Sequence, residues 1–400
     1  MMLQKVLLKK ILEQIGGYNF GVTYWDGQQD IFAAKAKKEE LDFEIIFNKK
    51  LNLSKIKESP QLRLAEAYMN GDIDIKGNLR EVLQAGAKNI NKFNGKDLNK
   101  DYDGFMQRQK KLSKHEQEDG VRHHYDLGND FFKLWQDETM TYSCAYFKNR
   151  DDNLKEAQLQ KIDHILNKLN LSPGETLLDI GCGWGELAIR AAEKYQANVL
   201  GITLSPEQVK GAEEKIEVKN LEGKVEIRKQ DYRDLAAGDI IFDKVVSVGM
   251  FEHVGKEHIP EYFKTVNQLL KDGGLSLLHT ITHQKEDPTH PWLEKYIFPW
   301  GYIPSYREVV WQLPEHSFSL IDAENIRRHY ALTGERWADN FAANRDKVVE
   351  KFDESFARMW ELFLAGVVAA FRYLNTSVHQ FLFVKGYNND RPLTRDYMYK

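Results

Sequence analysis

Apolar residues recur at helical spacing from the start of the chain: Leu3, Leu7, Ile11 and Ile15 share one face, and Lys5, Lys9 and Lys10 fall elsewhere around the turn. Such a helix either lies on a membrane or packs on its own domain. Two strand-like stretches follow, VTYWDGQQDIF with a DG turn inside it and the alternating LDFEIIF at 41–47, then helical stretches near 60–70 and 79–90. Together they predict a small α+β domain over residues 1–95. From about residue 91 the chain is rich in Asn, Lys, Asp and Gln, and a linker is expected at 96–120.

Residues 121–400 have a different rhythm. Leu154, Ala157, Leu159, Ile162, Ile165, Leu166 and Leu169 predict a helix over 153–169, ahead of a Pro-Gly turn. After it, TLLDIG, NVLGITLS, KVEIRKQD, FDKVVSVGM and LSLLHTIT read as strands, with helices ELAIRAAEKY, PEQVKGAEEKI and IPEYFKTVNQLLK between most of them. Short apolar strands alternating with helices predict an α/β domain whose mostly parallel sheet is covered on both faces. Residues 284–316 break the pattern with Pro288, Pro291, Trp292, Trp300, Tyr302, Pro304, Tyr306 and Trp311, and read as an inserted lid or a subdomain packed on the sheet. No internal repeat is visible.

Composition narrows the function classes. A chain of 400 residues with 42% apolar positions suits a folded, two-domain protein. Its formal net charge of −4 argues against a broad nucleic-acid-binding face, and any contact with an anionic membrane must be local. Cys144 and Cys182 are far apart and give neither a disulfide framework nor a zinc spacing, which fits a reducing cytoplasm. His279, His283 and His290 are loosely spaced with no acid at a fixed offset, so no metal is expected. The opening MMLQKVLLKKILEQI has lysines interrupting its apolar residues and no cleavage site, so it is not read as a signal peptide. The apolar LFLAGVVAAF at 362–371 is too short to cross a bilayer, so a soluble or peripheral protein is expected.

The segment DIGCGWG at 179–185 leaves a predicted strand and enters a helix, with Gly181, Gly183 and Gly185 spaced G-x-G-x-G, not G-x-G-x-x-G as in dinucleotide sites. Asp179 closes the strand before the glycines. The strand VEIRKQD ends in Asp231, followed by Tyr232, and DKVVSVGM runs into a loop of charged groups. Ligands of such sheets bind at the carboxyl ends of the strands, so these segments meet in one crevice. The combination points to a Rossmann-like class I methyltransferase fold with a mostly parallel seven-stranded sheet, and to S-adenosylmethionine. One departure stands out: NVLGITLS does not end in an acid for the ribose hydroxyls, and Thr203, Ser205 and Gln208 offer neutral hydrogen-bonding groups there.

Five segments together, HHYDLGNDFF at 123–132, TYSCAYF at 141–147, LLDIGCGWG at 177–185, VSVGMFEHVG at 246–255 and LLHTIT at 277–282, resemble the cyclopropane fatty acid synthases and the related mycolic acid cyclopropane synthases. The resemblance runs from about residue 120 to the end, and the preceding domain looks like the amino-terminal extension of the bacterial phospholipid enzymes. It implies that Tyr142, Ser143, Gly181, Gly183, the stretch from Thr203 through Leu204 to Gln208, and Tyr232 with Arg233 line the cofactor. It implies a bound bicarbonate held by Cys144, Glu252, His279 and Tyr330 with the backbone near Ile281, and places Tyr125 near the reacting methyl. It also implies a homodimer, lying on the cytoplasmic face of a membrane whose phospholipids carry unsaturated acyl chains. Some members carry a cysteine where this chain has Val367, so a thiol nucleophile at that place is not part of the mechanism.

The chemistry so implied explains the residue types. An isolated cis double bond that attacks a sulfonium methyl becomes a carbocation, which closes to a ring only by losing a proton from the new methyl. A base beside that methyl, aromatic faces near the cation and exclusion of water are therefore needed. Tyr125, Phe147 and Tyr330 offer aromatic faces. Glu252 either accepts a bicarbonate hydrogen, or orients His279, or is itself the base; a bland reading has Glu252 and His253 capping the next segment, and Cys144 a buried structural thiol. His123 and His124 read as a surface pair, or one of them as a packing residue. Lys285, Lys295 and Arg307 are either head-group contacts or solvated cations. Competing functions are another lipid or amine methyltransferase and a non-catalytic lipid-binding protein.

Overall fold

The computed structural model of the protein describes residues 2–32, 41–89, 104, 108–109 and 112–399. The chain forms two compact units. The first gathers Met1–Asp103 with His290–Ile297 and Gly334–Asn375, and the second comprises Gly104–Thr289, Phe298–Thr333 and Thr376–Lys400. Of the polar stretch expected as a linker, residues 96–103, 105–107 and 110–111 lie outside the described residues. Its later part is helical: Lys114–Tyr125 starts at a capping box in which Ser113 and Glu116 satisfy each other's backbone N–H groups.

In the first unit, β1 (Phe20–Thr23) and β2 (Gln29–Phe32) form a hairpin through the Asp26–Gly27 turn, and β3 (Phe43–Phe47) and β4 (Ile73–Gly77) complete a sheet of order β2-β1-β3-β4. Alternation along β3 buries Phe43, Ile45 and Phe47 against Phe20, Val22 and Tyr24. The first helix, Met2–Leu12, packs Leu8 and Leu12 into this core, joined by Ile15, while Ile11 is 38% exposed. The packed face is therefore rotated from the one the spacing suggested, and the side chains of Leu3 and Leu7 are outside the described residues. The ion pairs Lys5–Asp26 and Lys9–Asp30 fix the helix over the hairpin in this rotation.

The second unit is built on seven strands: β5 (Thr176–Ile180), β6 (Asn198–Thr203), β7 (Val225–Lys229), β8 (Phe242–Val248), β9 (Leu270–His283), β10 (Phe318–Asn325) and β11 (Thr376–Lys385), in the order β10-β11-β9-β8-β5-β6-β7. Pairs from β9 through β7 are parallel, and β11 joins β9 and β10 antiparallel. Successive residues alternate between two cores. Leu177, Val246, Leu277 and Leu382 face one, with Ile162, Ile165 and Ala188; Leu178, Val245, Leu278 and Phe383 face the other, with Tyr262 and Phe263. Both faces are covered, hence the unbroken apolar runs in the sequence. The chain winds outward from β5 to β7 and returns to β8 on the other side of β5, so a crevice opens at the carboxyl ends of β5 and β8.

Candidate active site

The crevice holds a cleft with about 1110 Å³ of space between protein atoms, its open mouth included. At its floor the chain leaves β5 through Gly181, Gly183 and Gly185, all at positive φ, before the helix Glu186–Tyr195. A Cβ on Gly181 would lie 2.6 Å from the Cβ of Met250, so a side chain there is excluded by contact as well as by φ. Tyr142, Ser143, Asp179, Gly181, Gly183, Thr203, Leu204, Gln208, Asp231, Tyr232 and Arg233 all line this cleft, as does Tyr125. Where an acid at the end of β6 was missing from the sequence, Thr203 donates to Gln208 Oε1 at 2.6 Å, and Ser205 donates to Asp126 Oδ1 at 3.0 Å. Burial opposes the charge of Asp231, but two hydrogen bonds from the Arg233 guanidinium, at 2.9 and 2.7 Å, outweigh it and hold its carboxyl below the usual range. An aromatic-walled cleft with a glycine floor and neutral and acidic acceptors suits an adenosyl amino acid.

A second group of side chains gathers beside the cleft. Tyr125 ends the helix Lys114–Tyr125, with its hydroxyl 3.4 Å from His253 Nε2 and its ring 6.0 Å from that of Tyr142. Tyr330 is half-buried and interacts electrostatically with Cys144, Glu252 and Tyr125, which places these four in one neighbourhood; burial pushes its hydroxyl well above the ordinary tyrosine range. Cys144 directs its thiol toward the carbonyls of Ala145, at 3.3 Å, and Ile326, at 3.9 Å, and burial raises it far above the thiolate range. Glu252 follows β8 in a short 3₁₀ turn. Its Oε1 accepts the Ile281 N–H at 2.6 Å, while Oε2 is buried with no hydrogen-bond partner. Burial pushes its carboxyl up to about 7, against the lowering effect of the Ile281 N–H, its own backbone N–H and the Thr280 hydroxyl.

His279 lies on β9 with Nδ1 3.3 Å from Gln380 Nε2; burial, with the charges of Lys161, Lys168 and His164, keeps it neutral. The backbone N–H of Ile281 is engaged by Glu252, so it acts on the site through that carboxylate. His253 lines the cleft, and burial pushes it down to about 4. His124 is buried in an aromatic group, its ring 4.3 Å from Phe298, and the side chain of His123 is outside the described residues. Val367 lies in the first unit, on the helix Glu354–Tyr373. Of the cations in the 284–316 stretch, Lys295 pairs with Glu66 at 2.7 Å and Arg307 with Glu286, whereas Lys285 is exposed. Among the described residues no group of three or more His, Cys, Asp or Glu is placed to hold a metal ion.

Among the lining residues that the sequence reading did not single out, Lys161 carries a charge. Lys161 reaches the cleft from the helix Leu154–Lys168 and donates to Ser143 Oγ at 2.8 Å. The only hint in the sequence is its place four residues from both Ala157 and Ile165, which a lysine alone does not turn into a site.

Comparison with known proteins adds the lineage. Residues 112–381 match the family described as mycolic acid cyclopropane synthetase, and residues 7–97 match a domain of unknown function. A probable fatty acid methyltransferase of Pseudomonas putida is 36% identical over 347 residues, covering 84% of this chain and 86% of the relative. The cyclopropane-fatty-acyl-phospholipid synthase of Escherichia coli is 42% identical over 275 residues, 68% of this chain and 70% of the relative. A solved mycolic acid cyclopropane synthase, complexed with S-adenosylhomocysteine and CTAB, superposes with a TM-score of 0.64 at 35% identity, over 68% of this chain and 99% of that one. With a family match over most of its length and a cleft shaped for an adenosyl amino acid, this chain belongs to the mycolic acid cyclopropane synthetase family and is an S-adenosylmethionine-dependent methyltransferase.

Proposed function

We propose that the protein is a cyclopropane-fatty-acyl-phospholipid synthase, which adds a methylene across a cis double bond of an unsaturated phospholipid acyl chain. The observation that carries this reading is Glu252 Oε2: a buried carboxylate oxygen without a hydrogen-bond partner, in the same neighbourhood as Tyr125, Cys144 and Tyr330. A native buried acceptor left unpaired calls for a ligand that carries a hydrogen to it.

S-adenosylmethionine supplies the electrophilic methyl. The protein's own part is to keep the reacting carbons dry and to meet the positive charge that develops on the acyl chain. Tyr125, Tyr142 and Tyr330 are all held neutral by burial, so their rings present uncharged π faces, each worth about 0.5–2 kcal/mol toward a cation. A proton must then leave the transferred methyl. A bicarbonate would fit at this place: Glu252 Oε2 would accept its hydrogen, Tyr330 in the same neighbourhood carries a hydroxyl donor, and the Cys144 thiol would turn to it from the carbonyls of Ala145 and Ile326. Bound there, bicarbonate would supply a small base able to sit beside an acyl chain. A second reading has the same support, since the free Oε2 and a carboxyl poised at about 7 also suit Glu252 as the base itself. Removing carbon dioxide from the buffer separates the two: activity that falls and returns with added bicarbonate favours the anion, and activity that is indifferent favours Glu252.

No helix of the described residues is long and apolar enough to cross a membrane. We place the protein peripherally on the cytoplasmic face of a bilayer, where its substrate resides. Trp311, 69% exposed, and Tyr306, 45% exposed, on the helix Tyr306–Glu315 support contact with an interface. The homodimer expected from the resemblance belongs to the same proposal and is read by sedimentation. The reading as a whole is tested by release of S-adenosylhomocysteine on vesicles. Unsaturated phospholipid should support release and fully saturated phospholipid should not; an amine that supports it in place of unsaturated lipid would overturn the proposal.

A further inference from the structure

The helix Leu154–Lys168 brings to the cleft a charge that the reaction described above leaves unused. Lys161 is 1% exposed and lines the cleft together with Ser143 and Asp179. An ammonium has three N–H donors. Among the described residues Ser143 Oγ is the one hydrogen-bond acceptor that Lys161 reaches, and no carboxylate lies within 4.0 Å of it. Asp179, at the end of β5, is 2% exposed and its carboxylate receives no hydrogen bond among the described residues. Burial draws Lys161 down to about 8 and pushes Asp179 up to about 7, and each charge relieves the other in part.

The floor of the cleft therefore presents one buried cation and one buried anion that do not form an ion pair with each other. That arrangement is complementary to a ligand end carrying both signs, which describes an α-amino acid. The other formal cation lining the cleft is Arg233, whose Nε and Nη2 groups are committed to Asp231 and whose Nη1 lies 3.8 Å from Glu261. Ser143 is itself held from the same helix, its carbonyl accepting from Gln158 Nε2 at 2.9 Å, so the Lys161 head group rests on a fixed support.

We propose that Lys161 binds the carboxylate of the cofactor's amino-acid end, with Asp179 receiving its ammonium and Ser143 aiming the lysine. The proposal rests on the reading of the cleft as the S-adenosylmethionine site, and its test separates the two. Titration calorimetry on the full chain compares S-adenosylhomocysteine with its decarboxylated analogue, which keeps the amine and lacks the carboxylate. The unaltered protein should prefer S-adenosylhomocysteine by about 30-fold, the scale of a hydrogen-bonded charge pair. Lys161→Met should abolish most of that preference, lowering affinity for S-adenosylhomocysteine by about 30-fold while the analogue changes by less than about twofold. Equal affinity of the unaltered protein for both compounds overturns the assignment, and that arm needs no variant to fold. An equal loss for both compounds in Lys161→Met also overturns it, since it would mark a structural role. If the unaltered protein bound neither compound, the cofactor reading would fall and this assignment with it.

Discussion

Glu252 illustrates how a single side chain couples stability to function. Its carboxyl is held at about 7 in the fold against an ordinary 4.5, so the folded state keeps a proton that the unfolded chain has released. The stability this group contributes is fully present below 4.5 and is lost as pH rises through about 7. Glu252→Gln removes that dependence. Its stability relative to the unaltered protein should improve by about 3 kcal/mol between pH 4 and pH 8, as read by urea unfolding at each pH. A constant difference across that range would mean that the carboxyl is not buried as described. The same variant should lose most turnover while its affinity for S-adenosylhomocysteine stays within a few-fold; loss of that affinity would move Glu252 into the nucleotide pocket. Gly181→Ala should act in the opposite sense. Positive φ costs a β-carbon roughly 1–2 kcal/mol, and the contact with Met250 adds to it, so cofactor binding should weaken at least about tenfold in calorimetry. Gly181 and Glu252 were legible in the sequence because backbone approach and an acid after a strand leave fixed residue types at fixed spacing. Lys161 was not, because a lysine inside an amphipathic helix reads as solvated until the helix is seen to bury that face.

At the scale of elements, alternation explains both what the sequence revealed and what it hid. Strands β5, β6, β8 and β9 are apolar on both faces because each face meets a core, and their runs were visible for that reason. Leu277, at the centre of β9 and fully buried, should cost about 2–5 kcal/mol on replacement by Ala, measured by urea unfolding, with little change in cofactor affinity of the folded protein. A loss under about 1 kcal/mol would contradict the packing described. Helix Lys114–Tyr125 was hidden, since its sequence KHEQEDGVRHHY offers almost no apolar period, and its start is announced by the Ser113–Glu116 capping box alone. The rotation of the first helix was hidden as well: Leu8 and Leu12 face the core instead of Ile11 because Lys5 and Lys9 are tied to Asp26 and Asp30 on the hairpin, contacts remote in sequence.

For the whole molecule, the second unit is assembled mostly from consecutive elements, so its class could be read by walking along the chain. The first unit takes in His290–Ile297 and Gly334–Asn375 from far downstream, and local periodicity carries no information about such joins. Trp292 shows the kind of bond that makes one of them: its indole N–H donates to Met69 Sδ at 3.2 Å, across more than half the chain. Function at this scale is one claim, that an olefin is alkylated in a dry chamber and then loses a proton from the methyl it has gained. Mass spectrometry of unsaturated phospholipid vesicles incubated with the protein and trideuteromethyl-labelled S-adenosylmethionine tests it most directly. The account predicts a lipid that has gained one methylene and retains two of the three deuteriums, with its double bond gone. A product that keeps all three deuteriums, as a hydroxylated lipid formed by water capture would, contradicts it.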